Sequence, residues 1–301
     1  LEHPVPKTKA IPVTQAPLFL IVEGNTVAHC AAMAVYGALP YARAYGQVLS
    51  EMWPGARWVS LHPADGLPSL PQGVSMAEVD GVVITGSALN LPNGGPEVDR
   101  QVDLVRDLLA EGPPLFGSCW GLQVATVAAG GTVRESPRGR EVGVARKIFA
   151  TSVGTGHPLL AARSGAWDAL AIHRDEVGQP PEGALVLASN GHSPVQAMEV
   201  KRGGGVFWGV QYHPEFDLPE MARTLERLGP SLIADGHFAD EMALVAHVAS
   251  LRTLAGNRLR RDLAWALGLD SDILDPVTHR SEIRAWMTHL VIPYRRERGR
   301  D

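Results

Sequence analysis

The 301-residue sequence predicts an α/β fold: an open, mostly parallel, doubly wound sheet followed by a C-terminal helical extension. Three observations carry that expectation. Short, almost purely apolar runs alternate with longer segments of helical periodicity, as buried parallel strands and their crossover helices do. Two of these runs end in glycine-bearing turns, Thr85-Gly86-Ser87 and Gly117-Ser118-Cys119, which would stand at the carboxyl ends of strands, where such sheets bind ligands. Beyond residue 230 the strand signals stop and helical periodicity continues.

The elements follow in order. Residues 1–16, with Pro4, Pro6 and Pro12, read as an irregular lead-in to a domain spanning 17–230. Leu18-Phe19-Leu20-Ile21-Val22 is a buried strand and Glu23-Gly24-Asn25 a turn. Ala28 to Met52 is helical with a break near Pro40, and its His29 and Cys30 are packing residues. Arg57–Leu61 and Gly81–Thr85 form the second and third strands, and Glu97–Ala110 the next helix. Gly130-Gly131 opens a polar loop, Arg134 to Arg140, whose charges read as solvated. Trp167–Val177 is a strand and turn, Leu185–Ser189 a further strand, and Pro219–Leu228 a helix. Residues 231–301 add helices within 238–267 and 281–290 before a basic tail, and their apolar faces demand burial against the domain, a partner or a second copy.

Bulk properties exclude several classes. A hydrophobic content of 45% suits a globular body, and no apolar run is long enough for a bilayer. The net charge of −5 gives no footprint for nucleic acid. Cys30 and Cys119 alone make no disulfide framework, so a reduced, cytoplasmic setting is expected.

Pro114-Leu115-Phe116-Gly117-Ser118-Cys119-Trp120-Gly121-Leu122-Gln123 reads as strand, sharp turn and helix. A nucleophile in such an elbow sits in a strained backbone, and Gly117 and Gly121 remove the side chains that would crowd it. At the helix N-terminus, unpaired N–H groups and the helix dipole stabilise a thiolate and offer donors to an oxyanion. The alternative for Cys119 is a buried structural cysteine beside a tight turn.

Val206-Phe207-Trp208-Gly209-Val210-Gln211-Tyr212 is a strand that Pro214 stops. Residues two apart in extended chain point the same way, so His213 and Glu215 project together. Thiol, imidazole and carboxylate then make a nucleophile, its base and the base's support. His173 is a rival base.

These two motifs resemble the class I glutamine amidotransferases, whose glutaminase domain carries a Gly-x-Cys-x-Gly elbow and a late His-x-Glu pair. The likeness is greatest to the amidotransferase domain of GMP synthases. It implies a flavodoxin-like sheet and a catalytic triad of Cys119, His213 and Glu215. It further implies an oxyanion hole at Ser87, in the Gly86-Ser87 turn, and at the Trp120 backbone. Ser193 lies in a segment that looks like the family loop whose backbone holds the amino-acid end of glutamine, and Gln123 matches a residue that helps seat the same group. His173, Asp175 and Glu176 match a His-x-Asp-Glu segment near that pocket, with a surface charge cluster as the other reading.

The expected reaction is hydrolysis of the γ-carboxamide of glutamine through a cysteinyl thioester, with neither metal nor cofactor. Ammonia would pass to a separate synthase subunit, because residues 231–301 contain no Ser-Gly-Gly-x-Asp nucleotide loop. Two alternatives stand beside it. One is an independent hydrolase or transferase of substituted γ-glutamyl amides; the other is a non-catalytic binding or interaction protein on the same fold. The C-terminal helices are candidates for homo-oligomer contacts.

Overall fold

A computed structural model describes residues 16–66 and 69–300. Except for Ala16, the expected lead-in lies outside the described residues. The strands are β1 (Leu18–Val22), β2 (Arg57–Leu61), β3 (Gly81–Ile84), β4 (Leu115–Ser118), β5 (Thr132–Glu135) and β6 (Glu141–Ala150), then β7 (Ala166–His173), β8 (Asp175–Gln179), β9 (Leu185–Ser189), β10 (Ala197–Arg202) and β11 (Gly205–Val210). The helices are α1 (Val27–Ala34), α2 (Tyr41–Met52), α3 (Pro96–Glu111), α4 (Trp120–Ala128), α5 (Leu218–Ala234) and α6 (Glu241–Gly256), followed by α7 (Arg261–Leu267), α8 (Ser271–Leu274), α9 (Pro276–His279) and α10 (Ser281–Trp286). A π turn, Met287–Val291, joins α10 to α11 (Ile292–Glu297).

Nine strands form one sheet in the order β2-β1-β3-β4-β11-β10-β9-β6-β7. The first five run parallel. From β11 onward each pairing is antiparallel. That wing reflects local turns: Gly203, at φ +59°, lets β10 fold back on β11, and β6 returns on β7. A separate antiparallel pair, β5–β8, includes Arg134 and Glu135, so the expected polar loop begins as a strand.

Period-two alternation sorts the parallel strands between two layers. Phe19, Ile21, Val83, Phe116 and Trp208 face one core with Tyr45 and Trp53 of the α2 segment. Leu18, Leu20, Val82, Ile84 and Leu115 face the other, under α3 and α4. This two-sided burial explains why the strands read as unbroken apolar runs.

The C-terminal residues are built into these layers. Trp286 is fully buried, with its ring 5.7 Å from Phe19 and 5.9 Å from Phe116, and a Cβ at Gly81 would come within 2.8 Å of it. Glu282 receives two hydrogen bonds from Arg163, at 2.8 and 3.1 Å, and one from the Tyr212 hydroxyl at 2.9 Å. Arg295 pairs with buried Asp80 at the start of β3. Position 230 falls inside α5, so that helix runs from the sheet domain into the extension. A third cluster joins α5 and α6 to Leu170 and Ile172 of β7. No helix among the described residues is long and apolar enough to cross a membrane.

Candidate active site

β4 delivers Cys119 to the N-terminus of α4 with φ +52° and ψ −102°, a conformation that L residues rarely adopt. The strain is held from two sides. The Cys119 N–H donates to the Val210 carbonyl at 2.8 Å, tying the elbow to β11. A Cβ at Gly117 would stand 2.8 Å from the Gly121 backbone, and one at Gly121 would stand 2.5 Å from the Ile84 carbonyl oxygen. Both glycines are therefore needed for the close approach of strand, turn and helix.

His213 leaves the end of β11, where its N–H donates to the Leu170 carbonyl at 2.7 Å. Its ring Nδ1 lies 2.8 Å from Glu215 Oε1, which leaves Nε2 for the Cys119 thiol. Burial opposes charge on this imidazole, but Glu215 and Cys119 outweigh it and push His213 up to about 10. These surroundings favour the protonated ring. The Cys119 sulfur also lies 3.8 Å from the Ile172 carbonyl oxygen.

The Gly86-Ser87 turn approaches from β3, and a Cβ at Gly86 would meet His213 Cε1 at 3.0 Å. Its shape is set by a buried polar scaffold. Ser87 Oγ donates to the Gly24 carbonyl at 2.8 Å and accepts from the Leu89 N–H at 3.0 Å. Asn25 Oδ1 accepts from the Ala88 N–H at 2.9 Å, and the Asn25 side-chain amide donates to Glu23 Oε1 at 3.0 Å. Glu23 Oε2 in turn accepts from the Ala42 N–H at 2.7 Å. The Ser87 hydroxyl is thus committed to the fold, leaving its backbone N–H for other work. Trp120, the first residue of α4, has an N–H that helix geometry leaves without an intrahelical partner.

His173, Asp175 and Gln123 form the opposite wall. His173 Nε2 lies 2.8 Å from Glu141 Oε2 and Nδ1 lies 3.0 Å from the Asp175 carbonyl oxygen. With both nitrogens facing acceptors, His173 has none left to serve Cys119 as a base. Burial raises the Glu141 carboxyl, but His173, Asn190 and Gln196 hold it below the usual carboxylate range. Burial pushes Asp175 up despite a 2.7 Å hydrogen bond from Asn90 Nδ2, and Asp175 Oδ1 is buried with no partner. Gln123 Nε2 donates to the Asp175 carbonyl at 2.8 Å. Ser193 lies behind this wall, its hydroxyl donating to Glu176 Oε2 at 3.0 Å, and Arg134 holds Glu176 from the other side. Asp175 and Glu176 are both buried, whereas Arg174 is exposed.

Cys119, His213, Ser87, Gln123 and His173 all line one cavity of about 280 Å³. Gly86, Trp120, Ser193 and Glu215 stand around it without lining it. Its walls also include Tyr41, Asn90, Arg140, Thr224, Arg227 and Leu228, none of them among the expected site residues. Arg140 lies in the stretch read as solvated loop charge, and Thr224, Arg227 and Leu228 lie on the Pro219–Leu228 helix, to which the sequence assigned no role. A functional signal for Arg227 was legible only in part: with Thr224 and Leu228 it makes an i, i+3, i+4 face. Among the described residues, no group of three or more His, Cys, Asp or Glu side chains is arranged to hold a metal ion.

The family model for glutamine amidotransferase class-I matches residues 68–228. A γ-glutamyl-L-1-hydroxyisopropylamide hydrolase from Pseudomonas sp. is 35% identical over 284 residues, spanning 91% of this chain and 93% of that protein. A glutamine-hydrolysing GMP synthase from Corynebacterium jeikeium is 30% identical over 215 residues, 67% of this chain and 38% of the synthase. In fold, the chain is similar to a glutamine amidotransferase from Thermotoga maritima. The TM-score is 0.61 at 16% identity, covering 92% of this chain and 99% of that one.

Proposed function

This chain belongs to the class-I glutamine amidotransferase family, and from that premise we propose that it hydrolyses γ-glutamyl amides through a Cys119, His213 and Glu215 triad. The observation that carries the reading is the joint placement of Cys119 and His213 on one cavity wall, with Glu215 on the ring nitrogen that faces away from the sulfur.

The Cys119 thiolate attacks the side-chain carbonyl carbon, and its C=O electrons move onto oxygen. The N–H groups of Ser87 and Trp120 receive that oxyanion. His213, protonated at rest, gives its proton to the departing nitrogen as the C–N bond breaks, leaving a γ-glutamyl thioester and a neutral imidazole. Water then enters, His213 takes one of its protons, and collapse of the second tetrahedral adduct releases glutamate and restores the thiolate. Glu215 holds the ring in one orientation and supports its charge throughout.

The amide in question is a substituted one. The cavity reaches from Cys119 to Thr224, Arg227 and Leu228 of α5, which supports a substrate that extends beyond the reacting amide. Similarity over 93% of a γ-glutamyl amide hydrolase, against 38% of a GMP synthase, supports the same choice. Delivery of ammonia from glutamine to a synthase is the second reading, supported by the synthase match. Amine release from a panel of N-substituted γ-glutamyl amides, beside ammonia release from glutamine, tests the two. Faster turnover of a substituted amide supports the hydrolase; turnover confined to glutamine and stimulated by an added synthase refutes it.

A further inference from the structure

The charges inside the cavity are unequal. Its walls carry Arg140, Arg174, Arg227 and Asp175. Arg174 points outward to Glu135, which accepts from it at 2.8 Å, and so does not serve the interior. Arg140 and Arg227 remain, approaching from the loop before β6 and from α5.

Neither is matched by a carboxylate in hydrogen-bond contact among the described residues. Asp235, at the end of α5, stays 3.8 Å from Arg140 Nε, and that nitrogen is buried with no hydrogen-bond partner. Arg227 Nη1 lies 3.4 Å from His29 Nε2, a neutralising partner only in name. Burial pulls the Arg140 guanidinium below its ordinary range despite Asp235 nearby. Both are partly buried, and a partly desolvated cation without a hydrogen-bonded counterion costs free energy that an incoming anion recovers. The planar fork of each guanidinium fits a carboxylate.

From this we infer that Arg140 and Arg227 form a carboxylate subsite of the cavity, so that the amides taken here carry a free carboxylate reaching α5. The inference rests on the γ-glutamyl amide reading and adds the recognition element to it. Two carboxylates meet the chemistry: the α-carboxylate of the glutamyl unit, and one borne by the amine that leaves. Tyr41 and Thr224 line the same cavity and give the subsite a polar edge.

Binding is measured by calorimetry on Cys119→Ala protein, so that turnover is not required. Three ligands are used: a γ-glutamyl alkylamide, a γ-glutamyl amino acid, and the 4-aminobutanoyl alkylamide that lacks the α-carboxylate. Each is titrated into Cys119→Ala alone and with Arg227→Gln, Arg140→Gln or Arg227→Lys added. Loss of a charged hydrogen bond weakens binding by about ten- to a hundredfold, with Arg227→Lys losing less than Arg227→Gln.

If the subsite takes the α-carboxylate, both glutamyl ligands weaken equally and the descarboxy ligand is indifferent. If it takes the amine's carboxylate, only the γ-glutamyl amino acid weakens. Equal affinity before and after either Arg→Gln change overturns the subsite, as does equal weakening of the descarboxy ligand or no binding of any ligand. Arginine-dependent binding by a wild-type protein that turns over none of these amides would instead refute the hydrolase reading and leave the subsite standing.

Discussion

Phe216 lies flat against His213, with ring centroids 4.0 Å apart and 14° between the planes. Glu215 holds one ring nitrogen of the same histidine, and Gly86 closes on its Cε1 edge. The imidazole is therefore fixed in plane, tilt and rotation by three consecutive constraints. Phe216 is itself anchored from the C-terminal segment, because His279 Nε2 donates to its carbonyl at 2.7 Å. Phe216→Ala removes the flat support and allows the ring to tilt. A fall in kcat/KM of about a hundredfold is expected, since displacement on the order of an ångström at reacting groups costs that much. Steady-state kinetics, with near-ultraviolet circular dichroism to show retained packing, checks it.

The pH dependence follows from Glu215. The carboxylate beside His213 helps to raise it to about 10, so the imidazolium that protonates the leaving nitrogen persists through neutral pH and is lost only as pH rises through that value. Without the carboxylate, Cys119 alone opposes burial and the ring gives up its proton at lower pH. Glu215→Gln should therefore move the alkaline limb of kcat/KM toward neutrality and lower the plateau by about a hundred- to ten-thousandfold. An unshifted limb would exclude Glu215 from this role.

Gly121→Ala tests the elbow. The added Cβ would meet the Ile84 carbonyl oxygen at 2.5 Å, and backbone, unlike a flexible side chain, cannot swing aside. Overpacking of this kind costs about 1–3 kcal/mol. Thermal unfolding should show that loss, and the rate of Cys119 alkylation should fall with it as the turn moves.

Much of this arrangement is legible in the sequence. The strands β1, β3 and β4 were visible because burial on both faces leaves them purely apolar, and the elbow because Gly117, Cys119 and Gly121 satisfy a local steric demand. β6 was missed: Glu141, Gly143, Arg146 and Lys147 interrupt its apolar residues, since part of the strand faces the site or solvent. Arg140 and Arg227 were missed for another reason. Each resembles an ordinary surface charge in its own segment, and only the packing of α5 beside the β5–β6 connection brings both to one cavity. For Ser193 the resemblance named a loop whose backbone seats the substrate; the hydroxyl lies on Glu176 behind the wall, and that the backbone shapes the glutamyl pocket remains a proposal.

The C-terminal helices carry a stability prediction. Glu282 is fully buried and accepts from Arg163 twice and from Tyr212. Glu282→Ala takes from the buried Arg163 guanidinium the carboxylate that it hydrogen-bonds, leaving only Asp272 at 3.9 Å, which costs about 3–5 kcal/mol. Chemical denaturation should show a single transition shifted by that amount if residues 276–297 unfold together with the sheet. Two transitions, with the main one unmoved, would show that the helices fold independently of it.

The Cys119 thioester is the step on which the proposed hydrolysis depends most directly. Wild-type protein mixed with a γ-glutamyl amide and quenched in acid within the first turnovers should show, by intact mass, a γ-glutamyl adduct that peptide mapping places on Cys119. Amine should be released by wild type and not by Cys119→Ala. Amine release that persists in Cys119→Ala, or an adduct on any other residue, would contradict it.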